Sequence, residues 1–423
     1  MPSLPRLALV LALLAASTGA CAQSPRARVD GVADTIQAHY FDARRGTQIA
    51  TDLRTAAARG EFDALTDPRD LATTLTARLQ PADRHFKVST TTETQASTAA
   101  GPMRHSPPGV DDYARRNNYG IRRVEVQPGN VGYLDLREFA GFPFGDPDAP
   151  ARRAIEAALQ LLAGTDAIVI DLRDNGGGAP AMVGYLSSAF TPRGADIYNT
   201  FHSRTGTRTE APADWYRQPR LDVPLYVLIS GRTGSAAEAF AYTMKNAGRA
   251  TIVGETSAGA ANPGGEIDAG NGMRVFVSQG SPVNPISHDN WEGRGVAPDV
   301  TVAQADAALA ARRLALERIV AADAGNIDAR WALEALRAQS APTAVAVQGY
   351  VGEYGAIRLS TRDGQLLLQR DRRPPCTLLP LGNDLFTVAD EPGRRIAFER
   401  DASGRATALE IRYANGQSMR YRR

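Results

Sequence analysis

Lysine is almost missing from this chain. Of 48 basic residues in 423, only Lys87 and Lys245 are lysines, and every other one is arginine. Arginine stays protonated and cannot accept a proton, so a lysine base has two candidates at most. Cysteine is nearly as scarce, with Cys21 and Cys376 alone. If Cys21 leaves with the leader described below, Cys376 has no intrachain partner, which excludes a disulfide and leaves the domains to be held by their cores. Surplus charge of either sign is missing too: 48 basic and 46 acidic residues give +2. That balance excludes a polybasic nucleic-acid binder and offers no electrostatic footprint for a membrane surface. No segment after the leader is apolar over the roughly 18 residues that a spanning helix needs. Internal repeats, zinc-ligand spacings and heptad arrays are also lacking. What is present, 43% hydrophobic and 22% charged residues, describes a globular chain long enough for two or three domains.

Residues 1–22 combine Arg6, an apolar run from Leu7 to Ala16 and the small-residue end Ala20-Cys21-Ala22. This pattern predicts a cleaved secretory signal peptide, and hence a periplasmic or secreted protein of bacterial type. A rival reading makes Cys21 a lipid-anchored first residue. Over 29–90, apolar positions recur at three and four residues, interrupted at Arg59-Gly60 and Asp67-Pro68, and predict an N-terminal helical bundle. It ends in a strand-like run, His85 to Val88, and a polar stretch, 89–108, reads as a loop or linker. Short apolar strands alternate with helices over 118–305, which predicts an α/β core with a sheet covered on both faces. Residues 303–340 read as a helical linker of two helices broken near Gly325-Asn326. Residues 341–423 alternate in short runs joined by Asp-Gly, Ser-Gly and Asn-Gly, and predict a small antiparallel β domain.

Four segments have the make-up of catalytic devices. In Ser230-Gly-Arg-Thr-Gly-Ser235-Ala-Ala-Glu238, a buried strand turns through glycines and presents Ser235 at a helix N-terminus. Free N–H groups and the helix dipole there favour a developing oxyanion. The same letters also make a capping box between Ser235 and Glu238. In Asp171-Leu-Arg-Asp-Asn-Gly-Gly-Gly178, three glycines after a strand allow close backbone approach. It is not a phosphate loop, because no Gly-Lys-Ser/Thr end follows. His85, in Asp83-Arg-His85-Phe-Lys87, is the residue type best suited to general base work near neutral pH. Glu292, in Trp291-Glu292-Gly-Arg-Gly-Val-Ala-Pro-Asp299, stands in a loop from which it could orient a distant imidazole. Each segment taken alone also has an ordinary structural reading: a cap, a strand exit, a solvent-facing histidine, an acidic loop.

Taken together and in this order, these segments resemble the C-terminal processing (tail-specific) serine peptidase family. The closest likeness is to the branch containing the tricorn core protease and the repeats of interphotoreceptor retinoid-binding protein. The runs GNVGYLDLREF, IVIDLRDNGGG, SGRTGSAAEAFAY, IVGETSAGA and WEGRGVAPDV carry the resemblance. It implies a crotonase-like or ClpP-like sheet core, with Ser235 as nucleophile and, as oxyanion-hole amides, Ala236 and one glycine of Gly176 to Gly178, Gly177 being the first choice. Many members keep a lysine base in a Gly-Lys-Gly pattern where this chain reads Gly259-Ala260-Ala261, and neither Lys87 nor Lys245 replaces it. The tricorn-like arrangement instead implies a Ser235–His85–Glu292 relay, with Glu292 fixing the imidazole directly or through one intermediate. It needs no metal or organic cofactor and takes a protein or peptide substrate. Roughly 40 residues separate His85 from Gly129, too few for a PDZ domain, so selective gripping of a C-terminal tail is not expected. The alternative from a different functional class is an inactive binding protein that holds an apolar ligand or peptide on the same scaffold.

Overall fold

A computed structural model describes residues 24–91, 110–341 and 345–423. The leader, 1–22, and most of the polar stretch read as a linker lie outside the described residues. Contacts divide the chain into two units.

The first unit holds three helices, Pro25–His39, Ala43–Ala58 and Pro68–Leu79, and a three-stranded sheet. Asp42 and Asp67 start the second and third helices by accepting Arg45 N–H at 3.0 Å and Arg69 N–H at 2.8 Å. Strand Lys87–Thr90 pairs antiparallel with Met273–Ser278, which turns back on Gly264–Gly270 through Asn271 and Gly272, both at positive φ. Val32, Leu53, Leu75, Met273 and Val275 share one buried cluster. Two details differ from the sequence reading. A further break falls at Tyr40–Asp42, where Asp42 caps a new helix. The strand begins at Lys87 rather than His85, because Asp83 captures the His85 N–H and holds it out of the ladder.

The second unit is built on a six-stranded sheet. Its order is Val300–Thr301, Thr251–Gly254, Leu225–Ile229, Ala167–Asp171, Val131–Leu136 and Ile121–Gln127. The first five are parallel and the last is antiparallel. Side chains alternate between two cores. Ile168, Ile170, Val227 and Ile229 pack with helices Pro150–Leu161, Pro180–Ser188 and Ala236–Asn246. Ala167, Val169, Tyr226 and Leu228 face helices Ala307–Ala322 and Ile327–Ser340. Burial on both faces explains why these strands read as unbroken apolar runs. An eight-stranded antiparallel sheet, Gly352 to Arg422, closes the unit with its own core of Ile357, Leu368, Phe386, Ile396 and Leu409. The fold class is therefore α/β with N-terminal helices and a C-terminal antiparallel sheet, as expected. Among the described residues no helix is long and apolar enough to cross a membrane.

Candidate active site

Three loops leave the C-terminal ends of neighbouring parallel strands, the edge where open α/β sheets carry their sites. The loop after Leu225–Ile229 turns into helix Ala236–Asn246 at Ser235, which has φ 49° and ψ −118°. This is a strained backbone for a residue with a Cβ. Neighbours hold it there. Thr233 Oγ1 donates to Leu172 O at 2.7 Å and accepts Ser230 N–H at 2.9 Å, while Gly234 N–H reaches Asn175 O at 3.0 Å. Ser235 and Glu238 are placed as in a capping box, but only one half closes as a hydrogen bond: Ser235 N–H donates to Glu238 Oε2 at 2.8 Å. The Ser235 hydroxyl makes no cap bond.

The loop after Ala167–Asp171 brings Gly177 against this turn. A Cβ on Gly177, at φ 121°, would lie 2.7 Å from Ser235 Cβ and 3.1 Å from Ala236 N. Ala236 opens the helix, so its N–H has no acceptor within the helix. The Gly177 N–H donates at 2.9 Å to Oδ1 of the fully buried Asn175, whose Nδ2 donates to Leu136 O. Gly177 can serve an oxyanion only by leaving Asn175.

His85 is mostly buried, and its Nδ1 faces two carboxylates, Asp83 Oδ1 at 3.0 Å and Glu292 Oε1 at 3.3 Å. Glu292 thus meets the ring without an intermediate. Asp83 Oδ1 also accepts the His85 main-chain N–H at 2.9 Å, which fixes the ring relative to its own backbone. Burial pulls the imidazole pKa down, but the hydrogen bonds and charges of Asp83 and Glu292 outweigh it and push it up to about 9. Burial pulls Asp83 the other way, upward, yet its bonds to His85 leave it below the usual carboxylate range. Asp83, His85 and Glu292 place three ligating atoms within 4.8 Å of one another, a spacing a cation could bridge. Asp83 Oδ1 already accepts the His85 peptide N–H and faces the ring Nδ1, so it ties this histidine at two points.

The third loop, after Thr251–Gly254, carries Gly259-Ala260-Ala261 in place of a Gly-Lys-Gly pattern. Its peptide groups do the bonding: Gly259 and Ala260 donate to Glu238 at 2.6 and 2.9 Å, and Ala261 and Asn262 donate to Glu292 Oε2 at 2.8 and 3.0 Å. Lys245 is engaged with Asp299 at 2.8 Å and Ala297 O at 2.6 Å. Lys87 lies on the strand Lys87–Thr90 of the first unit.

The sequence-predicted residues therefore fall into two direct contacts, Ser235 with Gly177 and Ala236, and His85 with Glu292. Sequence reasoning missed Asp83, Asn175 and Ser257, and took Glu238 only as a cap. Asp83 carried a signal, two residues before the histidine. Ser257 and Asn175 act through loop closure and carried none.

Residues 130–302 match the model of peptidase family S41, and residues 20–118 match the model of the N-terminal domain of that family in eukaryotic IRBP. Carboxyl-terminal-processing peptidase 1, chloroplastic, from Arabidopsis thaliana is 28% identical over 184 residues, covering 43% of this chain and 35% of that protein. A carboxyl-terminal-processing protease of Picosynechococcus is 32% identical over 178 residues, covering 41% of this chain and 39% of its own. The chain thus spans about two fifths or less of these relatives. Among solved structures, a photosystem II D1 C-terminal processing protease aligns at 25% identity with a TM-score of 0.33, over 43% of this chain and 46% of that one. Residues 118–127 run directly into the sheet, and among the described residues no PDZ domain is evident ahead of it. With two models of the family matching residues 20–118 and 130–302 in succession, the chain belongs to peptidase family S41.

Proposed function

We propose that the protein is an exported serine endopeptidase acting through a Ser235–His85–Glu292 relay. The observation that carries the reading is the double hold of Asp83 and Glu292 on His85 Nδ1, which assigns proton exchange to Nε2. In this reading Nε2 takes the Ser235 hydroxyl proton as Oγ attacks the scissile carbonyl carbon. The resulting oxyanion is met by Ala236 N–H and by Gly177 N–H released from Asn175. Collapse breaks the C–N bond, His85 returns its proton to the leaving amine, and an acyl-enzyme remains on Ser235. Water, deprotonated by His85, then hydrolyses that ester and restores the serine. Residues 1–22 supply the proposed export signal, and Cys21 the alternative lipid anchor. Substrates are proteins or peptides, as the family implies.

A fluorophosphonate probe tests the reading. The wild-type protein is expected to gain one phosphonyl adduct on the peptide carrying Ser235, and Ser235→Ala none, with hydrolysis lost by at least about 10⁴-fold. A folded wild-type protein that takes no label would instead be the ligand-holding scaffold.

A further inference from the structure

Glu238 is a carboxylate with no solvent exposure that the relay does not use. Four donors converge on it. Ser235 N–H and Ala260 N–H reach Oε2 at 2.8 and 2.9 Å, and Ser257 Oγ–H and Gly259 N–H reach Oε1, both at 2.6 Å. An ordinary helix cap needs one of these bonds. The other three belong to a loop about twenty residues downstream.

That loop in turn holds the relay glutamate. Ala261 and Asn262, the next two peptides, donate to Glu292 Oε2, whose Oε1 faces His85 Nδ1. Two more ties join the same loops: Ser257 Oγ accepts Val296 N–H at 2.6 Å, and Gly259 O accepts Gly293 N–H at 2.9 Å. The approach is backbone to backbone, since a Cβ on Gly295 would lie 2.3 Å from Ser257 O. A continuous path of short bonds therefore runs from the peptide of Ser235 through Glu238 and residues 257–262 to Glu292 and His85.

We propose that Glu238 is a positioning residue that sets the nucleophile and the relay carboxylate in one frame, doing from the helix side what no side chain of the 259–262 segment does. The inference rests on the peptidase reading above. Glu238 fixes the strained turn of Ser235 and, through the same carboxylate, the place of Glu292 against the imidazole. Glu238→Gln keeps the size but brings an NH₂ group against these donors; even with that group turned toward the Ser257 hydroxyl, which can accept, the Gly259 N–H is left facing another donor. Both ends of the relay then drift.

The test separates position from folding by the two numbers that fluorophosphonate labelling yields, the end-point and the rate. In Glu238→Gln the end-point is expected to stay at one label per folded chain, while the second-order rate falls about 10- to 100-fold. Ser257→Ala, which removes one donor and leaves the charge, is expected to slow labelling by roughly two- to tenfold. An end-point that drops while the remaining sites react at the wild-type rate means a purely structural role and overturns the proposal. Should Glu238→Gln fail to fold, a wild-type rate in Ser257→Ala overturns it equally. Failure of the wild-type protein itself to label identifies an error in the peptidase reading, and the inference falls with it.

Discussion

The loop edge of the six-stranded sheet and the eight-stranded C-terminal sheet use the same residue types to opposite ends. In the C-terminal sheet, Gly364 sits in a hairpin turn at φ 77° with open space where a Cβ would be. At the site, Gly177 needs its positive φ and also meets Ser235 and the Ala236 peptide at contact distance. Carboxylates divide likewise. Glu353, paired with Arg358, is 71% exposed, while Glu238 is sealed from solvent with four donors. One region uses glycine and charge for local geometry and solvation, the other for closing distant loops on each other. Regular elements need only their neighbours in sequence; a site needs partners far along the chain.

Alanine at the two glycines should break the comparison most sharply. Gly177→Ala pushes on Ser235, the proposed nucleophile, and is expected to lower kcat on p-nitrophenyl acetate by on the order of 100-fold. Gly364→Ala should leave turnover unchanged and cost about 1 kcal/mol in a thermal melt, for the positive φ alone. Equal losses of turnover would erase the distinction.

The carboxylate contrast is sharpened by pH. An imidazole with a pKa of about 9 is protonated at neutral pH and cannot act as base, so activity should climb with pH through about 9. Because folding raises this pKa, the stabilisation it brings is whole below the ordinary 6.5 and is lost as pH rises through about 9. Asp83→Asn removes one of the two carboxylates, and the midpoint of the pH–rate curve should move down by roughly one unit. A midpoint that stays put would assign the shift to Glu292 alone.

The smallest effect on turnover belongs to the C-terminal sheet. Leu409 is fully buried there, and Leu409→Ala should cost about 2–5 kcal/mol of stability. Turnover per labelled Ser235 should remain within about twofold of wild type. A larger loss would show that this core reaches the loop edge.

Much of the architecture was legible because its signals are local. The apolar runs at 167–171 and 225–229 announced buried strands, and Asp363-Gly364 announced a hairpin. The paired strands Gly264–Gly270 and Met273–Ser278 escaped notice, although Asn271-Gly272 is a turn signal, because their partners are helices some 200 residues earlier. At the site, Ser235, His85 and Glu292 stood out by residue type and context. Asp83 was overlooked because an acid beside a histidine is common. Asn175 was missed because its role, accepting a glycine N–H, exists only once the turn has closed. Glu238 was read as a cap, since a cap is what its spacing to Ser235 describes.

The segment 259–262 has one more consequence. Its four bonds come from peptide groups, and a peptide N–H is offered by every residue except proline. Half-exposed Ala260 therefore stands at a position where identity is almost free and conformation is not. Drift at that letter would leave the bond to Glu238 intact, whereas a single proline would cut it. Such a stretch stores its instruction in the path of the chain, and related sequences can rewrite its spelling without changing what it holds.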